Sequence, residues 1–171
     1  HESDLVLNSI PSSIKNVIQK DQLGTGHAVS IAINSDVFNG IKSDFTLVVP
    51  GDVPGINAED IDSLIDEVKT KDSPVGFITA LVENPFGYGR IVKNNEEIKI
   101  VEEKDCSEEE KATNEINSGI YCFKTEFLVE NIDNLDTENA QGEFYLTDLI
   151  GIANNQKQDI VIVQVDEDSI K

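Results

Sequence analysis

The chain has 171 residues, 39% of them apolar, and its 33 acidic residues against 13 Lys plus Arg give a net charge of −20. This size predicts one domain with a proper core, and the acidic balance argues against nucleic acid or an anionic membrane as partner, since both need a basic surface. Cys106 and Cys122 are too few for a disulfide framework and lack the paired spacing of a zinc site, which predicts free thiols. No apolar run approaches the roughly 20 residues of a membrane span and no signal peptide is evident, so we expect a cytoplasmic protein.

The first half of the chain predicts three helices and two strands, and one of the helices is the run that follows Gly26. Residues 3–10 have a helical pattern, and residues 13–19 resemble a strand that ends before a glycine loop. The apolar run from Phe45 to Val49 is typical of a strand buried on both faces of a parallel sheet. Asn57 is a good helix start, because apolar residues then recur at i, i+3, i+4 and i+7: Ile61, Leu64, Ile65 and Val68.

Strands and helices alternate in the second half. VGFITALVE predicts a strand, NPFGYGRIVKNNEEIKIVEEKD two short strands around an Asn-Asn turn, and EINSGIYCFK another strand. A helix is predicted from near Gly142 to Ala153, and DIVIVQVD predicts a last strand. The acidic run VEEKDCSEEEK is expected to be a solvated turn and helix. The alternation predicts an α/β fold whose sheet is mostly parallel, with one antiparallel excursion.

The segment DQLGTGHAVSIA places Gly24, Thr25 and Gly26 in front of a helical run. A loop that meets a helix N-terminus is a common seat for an anion or a ligand. This loop lacks the Lys-Ser/Thr of a Walker A motif and misses the spacing of the dinucleotide fingerprint. A tight turn into a helix, with glycine at positive φ, explains the same residues. For His27, in the first helical turn, a packing or capping role is favoured over catalysis.

Asp52 follows the Phe45 to Val49 strand, where ligands bind in doubly wound sheets. An aspartate there can hold Mg²⁺, which combines few carboxylates with substrate phosphate oxygens. An Asx turn explains the residue equally well. Glu102 and Glu103 alternate faces if they lie on a strand, so one is expected to point inward and the other to lie on the surface. No Ser-His-Asp set is evident, and no nucleophile is predicted.

Several motifs in order, QLGTGHAV, GDVP, NPFGYGRIVK, IVEEKD, EINSGIY and NAQGEFYLTD, carry a family resemblance. Together they resemble the uridyltransferase domain of the bacterial bifunctional N-acetylglucosamine-1-phosphate uridyltransferase/glucosamine-1-phosphate acetyltransferases, over nearly the whole chain. The resemblance implies a Rossmann-like nucleotide-diphospho-sugar transferase fold. It also implies synthesis of UDP-N-acetylglucosamine, a peptidoglycan and lipopolysaccharide precursor, from UTP and N-acetylglucosamine-1-phosphate with Mg²⁺ and release of pyrophosphate. Another sugar-1-phosphate nucleotidyltransferase and a non-catalytic sugar-nucleotide-binding regulatory module remain open as alternatives.

The resemblance further implies a substrate site whose members come from all of these motifs: Gln19, Gly24 and Thr25 at the uracil; Pro50, Gly51 and Asp52 at the nucleotide; Gly87, Glu102 and Asn117 at the N-acetylglucosamine and ribose; Tyr145 and Thr147 at the border of the sugar pocket. Asp52 matches the Mg²⁺ ligand and is the one residue given a catalytic role. Among basic residues, Arg90 and Lys104 lie near the pocket in these motifs.

The chain also departs from the family pattern. The family's Gly-rich phosphate loop, its second Mg²⁺ ligand and its left-handed β-helix acetyltransferase domain, through which it forms trimers, have no match in residues 1–171. The expectation is therefore the interior of a single nucleotidyltransferase domain, with little or no activity by itself.

Overall fold

The computed structural model describes residues 3–39, 42–94 and 97–170. Six strands occur in these ranges: β1 Phe45–Val48, β2 Val75–Leu81, β3 Arg90–Asn94, β4 Glu97–Val101, β5 Glu115–Lys124 and β6 Ile160–Val165. The α-helices of the same ranges are α1 Ser3–Ser9, α2 Thr25–Ile33, α3 Ala58–Thr70, α4 Glu108–Lys111, α5 Thr125–Asn131 and α6 Asp148–Asn155. Short 3₁₀ helices cover Ile132–Asn134 and Glu167–Ile170. None of the helices in the described part of the chain has the length and apolarity to cross a membrane.

The strands form one mixed sheet in the order β4-β3-β5-β2-β6, and β1 pairs with β5 beside this path. β2 and β6 are parallel, whereas the pairs β1·β5, β2·β5, β3·β4 and β3·β5 are antiparallel. The α/β class is therefore confirmed as a mixed sheet, in which β1, β2, β3 and β6 share one direction and β4 and β5 run against them, so that most neighbouring strands of the described ranges pair antiparallel. The ten-residue strand β5 is the reason, because it runs antiparallel to every strand that it contacts in the sheet.

Helices cover both faces of the sheet. On one face, Leu64 and Val68 of α3 pack in a buried cluster with Ile78, Ile120 and Val161. On the other face, α5 and α6 supply buried residues to a larger cluster that includes Phe77, Tyr121 and Phe123, and Leu128, Leu149 and Ile150 belong to it. The periodic apolar face predicted for the helix after Asn57 is thus confirmed, and Asn57 caps that helix by accepting a 2.8 Å hydrogen bond from the backbone N–H of Asp60.

Most predicted elements are confirmed in place, including the strands β2, β3, β4, β5 and β6 and the short solvated helix α4. Cys106 and Cys122 are buried and free, as expected. The predicted Asn-Asn turn includes Asn95, which lies outside the described residues. The strand predicted at residues 13–19 is wrong, because this segment pairs with no strand and its apolar side chains are exposed: Ile14, Val17 and Ile18.

Two further predictions are corrected. β1 is a strand, but it is not buried on both faces, since Leu47 is 38% exposed. Its pairing with β5 is antiparallel and not parallel. The last long helix begins at Asp148 and not near Gly142. Phe144 is instead held by the glycine loop, because its N–H donates to Leu23 O and its carbonyl oxygen accepts from Gly26 N–H, both at 2.8 Å. These two bonds take the place of the bonds that residue 144 would form inside a helix.

Candidate active site

A cleft of about 240 Å³ opens where α2, the end of β1, β5 and the segment before α6 meet. Its walls are largely apolar, and a few polar side chains converge on it, which is the usual composition of a small-molecule site. Five predicted site residues line this cleft: Thr25, Pro50, Glu102, Asn117 and Thr147. Its other lining residues are Ala28, Val29, Val48, Val49, Gly119, Tyr121 and Leu146. The structure therefore brings together side chains from four separate sequence motifs and Pro50, which precedes the GDVP motif.

The glycine loop is packed against the segment 144–146. Gly24 has φ 108°, and a Cβ at this position would lie 2.5 Å from the Phe144 carbonyl oxygen, so a side chain fits neither the dihedral nor the space. Gly26 N–H donates to the same carbonyl at 2.8 Å. Thr25 lines the cleft while its Oγ1 accepts a 3.1 Å bond from Leu146 N–H. The tight-turn interpretation accounts for both glycines, so a contact between Gly24 and a ligand is a proposal.

Gln19 and His27 lie behind this loop. Gln19 Nε2 donates to Gly24 O at 3.1 Å and lies 2.9 Å from His27 Nδ1. Because the carbonyl is purely an acceptor, the Gln19 amide is the donor, and His27 Nδ1 accepts from it. The His27 ring stacks on Phe144 with 6.2 Å between centroids. The packing role expected for His27 is therefore confirmed, and Gln19 supports the loop from outside the cleft lining.

Asn117 is oriented from two sides. Its Oδ1 accepts a 3.1 Å bond from Gly119 N–H, and its Nδ2 donates to the Tyr121 hydroxyl at 2.7 Å. Gly119 has φ 80°, and the Cγ of Pro50 lies 2.8 Å from where a Cβ would be. The missing side chain thus lets Pro50 close down on β5 and form part of the cleft wall.

Glu102 follows the last residue of β4 and points into the cleft. Thr147 Oγ1 donates to its Oε1 at 3.2 Å. Burial raises the pKa of Glu102; the bond from Thr147 opposes this, and the charges of Asp148 and Asp105 add to the increase. A carboxylate that is partly desolvated and offers an oxygen to the cleft is suited to accept a hydrogen bond from a ligand hydroxyl or amide.

Glu103 differs from the sequence prediction. Its Oε2 lies 2.6 Å from Nη2 of Arg90 and accepts a 3.1 Å bond from Gly87 N–H. Arg90 also donates to the Tyr88 carbonyl, and its side chain is only 2% exposed. The bond from Arg90, followed by the bond from Gly87, lowers the pKa of Glu103. The expectation of a plain surface carboxylate is therefore wrong, because this glutamate neutralises a buried guanidinium. That cation is engaged within the protein, and Lys104 is exposed.

The remaining predicted residues lie outside the lining of the cleft. Gly51 and Asp52 are exposed beyond the end of β1, and Gly87 is exposed in the turn before β3. Tyr145 is buried, and its hydroxyl donates to Asp105 Oδ2 at 3.2 Å. Within residues 3–39, 42–94 and 97–170, no group of three or more His, Cys, Asp or Glu side chains could hold a metal ion. Asp52 thus belongs to no such group of three in the part of the chain that is described.

The sequence prediction missed Gly119 and Tyr121, which line the cleft beside Asn117. Regular alternation along a strand could not have found them, because the register of β5 against β2 shifts between Tyr121, opposite Phe77, and Asn117, opposite Thr79, which marks a bulge in β5. The apolar wall formed by Val29, Val48 and Val49 carried no signal either, since residues of this type are equally suited to a core.

Comparison with known proteins gives consistent results. Residues 5–167 match the nucleotidyl transferase family. The chain is 43% identical to the Bifunctional protein GlmU of Fervidobacterium nodosum, with 100% of this chain and 38% of that protein covered. It is 45% identical to the Bifunctional protein GlmU of Trichlorobacter lovleyi, with 90% and 34% covered. The chain therefore spans only about a third of the length of these relatives.

A solved structure described as the nucleoside-diphosphate-sugar pyrophosphorylase of Vibrio cholerae RC9 has a TM-score of 0.63 at 14% identity, with 88% of this chain and 60% of that chain covered. This likeness confirms the predicted Rossmann-like nucleotide-sugar transferase fold, which is incomplete over these residues. Nucleotidyl transferases generally use a divalent metal, and a nucleotide and a sugar phosphate are substrates consistent with the family. The chain therefore belongs to the nucleotidyl transferase family of enzymes.

Proposed function

We propose that the full-length protein joins UTP and N-acetylglucosamine-1-phosphate to make UDP-N-acetylglucosamine, and that the cleft holds the product's uridine and sugar parts. The observation that carries this proposal is the meeting of Thr25, Glu102, Asn117 and Thr147 in one cleft, although they are far apart in sequence. A cleft with apolar walls and a few polar groups suits a ligand with a flat base and a sugar rich in hydroxyl groups. The names of the GlmU relatives support the same activity.

The polar groups of the cleft divide into two sides. On the nucleotide side, Thr25 and Pro50 would contact the uridine, with Gln19 and Gly24 shaping the loop and Gly51 next to the phosphates. On the sugar side, Glu102 offers carboxylate oxygens and Asn117 an amide, and Thr147 is bonded to Glu102. Gly87 and Tyr145 would border this side, where Tyr145 is already held by Asp105.

Mg²⁺ would be held by Asp52. The residues present fit such an ion only in part, since Asp52 is exposed at the end of a strand and the described residues offer no further carboxylate cluster. Mg²⁺ commonly uses one or two carboxylates together with phosphate oxygens and water. When bound, the ion would offset phosphate charge, which the cleft itself does not do, because its lining contains Glu102 and no Lys or Arg.

The chemistry assigned to the site is a single displacement. An oxygen of the sugar phosphate forms a bond to the α-phosphorus of UTP, the bond between that phosphorus and the bridging oxygen breaks, and pyrophosphate leaves with its electron pair. No proton transfer to a protein group is needed and no covalent intermediate forms. The side chains of the cleft would contribute by holding the two substrates in line, and positioning of this kind supplies much of the rate enhancement in phosphoryl transfer.

The domain assignment is also a proposal. Residues 1–171 would form the interior of one cytoplasmic nucleotidyltransferase domain. The phosphate loop, the second metal ligand and the trimeric β-helix of the resembled family would then belong to other parts of the full-length protein, in line with relatives of which this chain covers 34–38%.

Ligand binding to the 171-residue chain tests the cleft directly. We expect isothermal titration calorimetry to detect UDP-N-acetylglucosamine with a lower Kd than dTDP-glucose, and NMR shifts to concentrate on the cleft residues. Tighter binding of dTDP-glucose would instead favour a thymidylyltransferase, and absence of binding by either would refute the cleft assignment. In the full-length protein, release of pyrophosphate from UTP and N-acetylglucosamine-1-phosphate distinguishes an enzyme from a regulatory module that only binds.

A further inference from the structure

Asn117 has a defined amide orientation, and this determines what it can offer to a ligand. The backbone N–H of Gly119 is solely a donor, so the side-chain atom of Asn117 that it contacts at 3.1 Å must be the oxygen. The amide nitrogen is therefore the atom 2.7 Å from the Tyr121 hydroxyl. One of its two N–H groups is directed to Tyr121, which leaves the second as a donor at the cleft.

Tyr121 is held more rigidly than the asparagine that it contacts. Its ring stacks on Phe123 with 5.5 Å between centroids and lies 6.1 Å from Phe77, and the residue is 2% exposed. Its backbone is also paired on both sides, with Val48 of β1 and Phe77 of β2. A buried hydroxyl on so constrained a ring occupies one position, and the Asn117 amide is tied to it.

We propose that Tyr121 is a positioning residue of the sugar side, whose hydroxyl holds the Asn117 amide so that its free N–H meets an acceptor oxygen of the sugar nucleotide. This inference rests on the proposed function, because it assigns Asn117 to the same ligand. Tyr121 acts through Asn117. Its role differs from that of Thr147, which is bonded to the carboxylate Glu102.

The electrostatics of the cleft agree with this role. Burial, and then the charge of Glu102, raise the pKa of Tyr121, so the phenol stays neutral at physiological pH. A neutral phenol can accept from Asn117 without adding a second negative charge beside Glu102. A phenylalanine would fill the same space and keep both ring contacts, but it would leave the Asn117 amide free to rotate away.

A double-mutant cycle on the full-length protein tests the inference, with the Kd for UDP-N-acetylglucosamine measured by calorimetry. One lost neutral hydrogen bond typically weakens binding about 2- to 13-fold, and we expect Tyr121→Phe to fall in this range. In an Asn117→Ala background the same change should alter Kd less than about 1.5-fold, because the group that Tyr121 positions is gone. Tyr88→Phe, on a tyrosine that is 37% exposed, is the matched control and should bind like wild type.

A spectroscopic measurement separates positioning from a general effect on the fold. In ¹⁵N-labelled protein without ligand, Tyr121→Phe should shift the side-chain NH₂ resonances of Asn117, and Tyr88→Phe should leave them in place. Asn117→Asp keeps the acceptor for Gly119 N–H but removes the amide donors, so we expect it to bind as weakly as Asn117→Ala. This variant tests the donor role even if Tyr121→Phe folds poorly.

The outcomes separate the two proposals. If the full-length wild-type protein does not bind UDP-N-acetylglucosamine, the proposed function is refuted. If it binds and Tyr121→Phe has the wild-type Kd, or if Asn117→Asp does, only the present inference is overturned. Equal weakening by Tyr121→Phe in both backgrounds would also overturn it, because Tyr121 would then act independently of Asn117.

Discussion

Arg90 and Glu103 form an ion pair in which Nη2 and Oε2 lie 2.6 Å apart and the arginine side chain is 2% exposed. The pair joins the start of β3 to the turn that follows β4. Glu103 also accepts from Gly87 N–H, and Arg90 donates to the Tyr88 carbonyl, so the turn that carries Gly87 is attached to both members of the pair. Arg90 Nε is the buried side-chain polar atom without a hydrogen-bond partner in the described residues, which makes the glutamate the main compensation for the buried charge.

Glu103→Ala should destabilise the protein markedly, because removing one partner of an ion pair leaves the other charge buried and uncompensated. The expected result in thermal unfolding is a clear decrease in Tm. Glu109→Ala, in the exposed helix α4, is the matched control and should change Tm little. Equal Tm values for the two variants would show that the Arg90 charge is compensated in some other way.

Glu102→Gln should raise stability at neutral pH and weaken ligand binding. Burial raises the pKa of Glu102, so its charged form is disfavoured in the folded protein, and the neutral glutamine avoids that cost. A hydrogen bond to a charged group is typically worth about 1.5–3 kcal/mol, so we expect Kd for UDP-N-acetylglucosamine to rise roughly 10- to 150-fold. Thermal unfolding and calorimetry measure the two effects, and a Tm that falls with unchanged Kd would contradict both.

The two neighbouring glutamates should act in opposite directions on stability as pH falls. The pKa of Glu102 in the folded protein is raised above 4.5, so its charged form destabilises the fold at neutral pH. As pH falls through the raised pKa towards 4.5, the carboxylate takes up a proton, and the wild type gains stability relative to Glu102→Gln. The folded pKa of Glu103 is lowered below 4.5, so its stabilisation is present above 4.5 and is lost as pH falls through the lowered value. Chemical denaturation of the wild type, Glu102→Gln and Glu103→Gln across this pH range measures how the free energy of unfolding of each protein depends on pH. The same pH dependence in all three proteins would refute the assignment.

Gly24→Ala should cost at least about 1–3 kcal/mol in the free energy of unfolding, because strained positive φ alone has this magnitude and the added Cβ would lie 2.5 Å from the Phe144 carbonyl oxygen. Gly151→Ala is the contrasting variant. Gly151 lies in α6 with open space around it, so alanine should stabilise the helix by about 0.5–1 kcal/mol. Urea denaturation of both variants gives the comparison, and a neutral Gly24→Ala would mean that the loop can shift away from residue 144.

Asp52→Asn should impair turnover of the full-length protein and leave the fold intact. The side chain is exposed, so the substitution should change the free energy of unfolding of the 171-residue chain by no more than about 0.5 kcal/mol. The Tm should therefore stay close to that of the wild type. Loss of the carboxylate charge should reduce pyrophosphate release and raise the Mg²⁺ concentration needed for half-maximal rate. Wild-type turnover at every Mg²⁺ concentration would identify Asp52 as a turn residue only.

Local sequence patterns correctly predicted those helices and strands whose formation depends mainly on their own residues. The helix after Asn57 has its cap and its apolar face within one short stretch of sequence, β2 is buried from Val75 to Ala80, and β5 has a continuous buried run from Ile120 to Phe123. Residues 13–19 have a strand-like composition, but a strand requires a partner, and this segment pairs with none in the described chain. Similarly, the last long helix cannot begin near Gly142, because the backbone of Phe144 is bonded to Leu23 and Gly26, more than 100 residues away along the chain.

The residues of the candidate site also divide into those that sequence motifs identified and those whose role depends on contacts in the folded structure. Glu102 and Asn117 were identified from motifs, and they face one cleft. The partner of Glu103 could not be predicted, because alternation along a strand distinguishes its two faces but does not reveal that the buried side chain of Arg90 lies beside Glu103. Tyr121 was missed for a related reason, since its hydroxyl gains a role only when the bulged backbone at Gly119 turns the Asn117 side chain toward it.

Pro50 lies where a Cβ of residue 119 would be, 2.8 Å from that position. The separation between the turn that carries Asp52 and the strand that carries Asn117 is therefore set by the absence of one methyl group. A larger residue at 119 would press against Pro50 and would also strain a backbone whose φ is 80° and whose N–H orients the Asn117 amide. Position 119 thus couples the width of the cleft to the orientation of one of its polar groups.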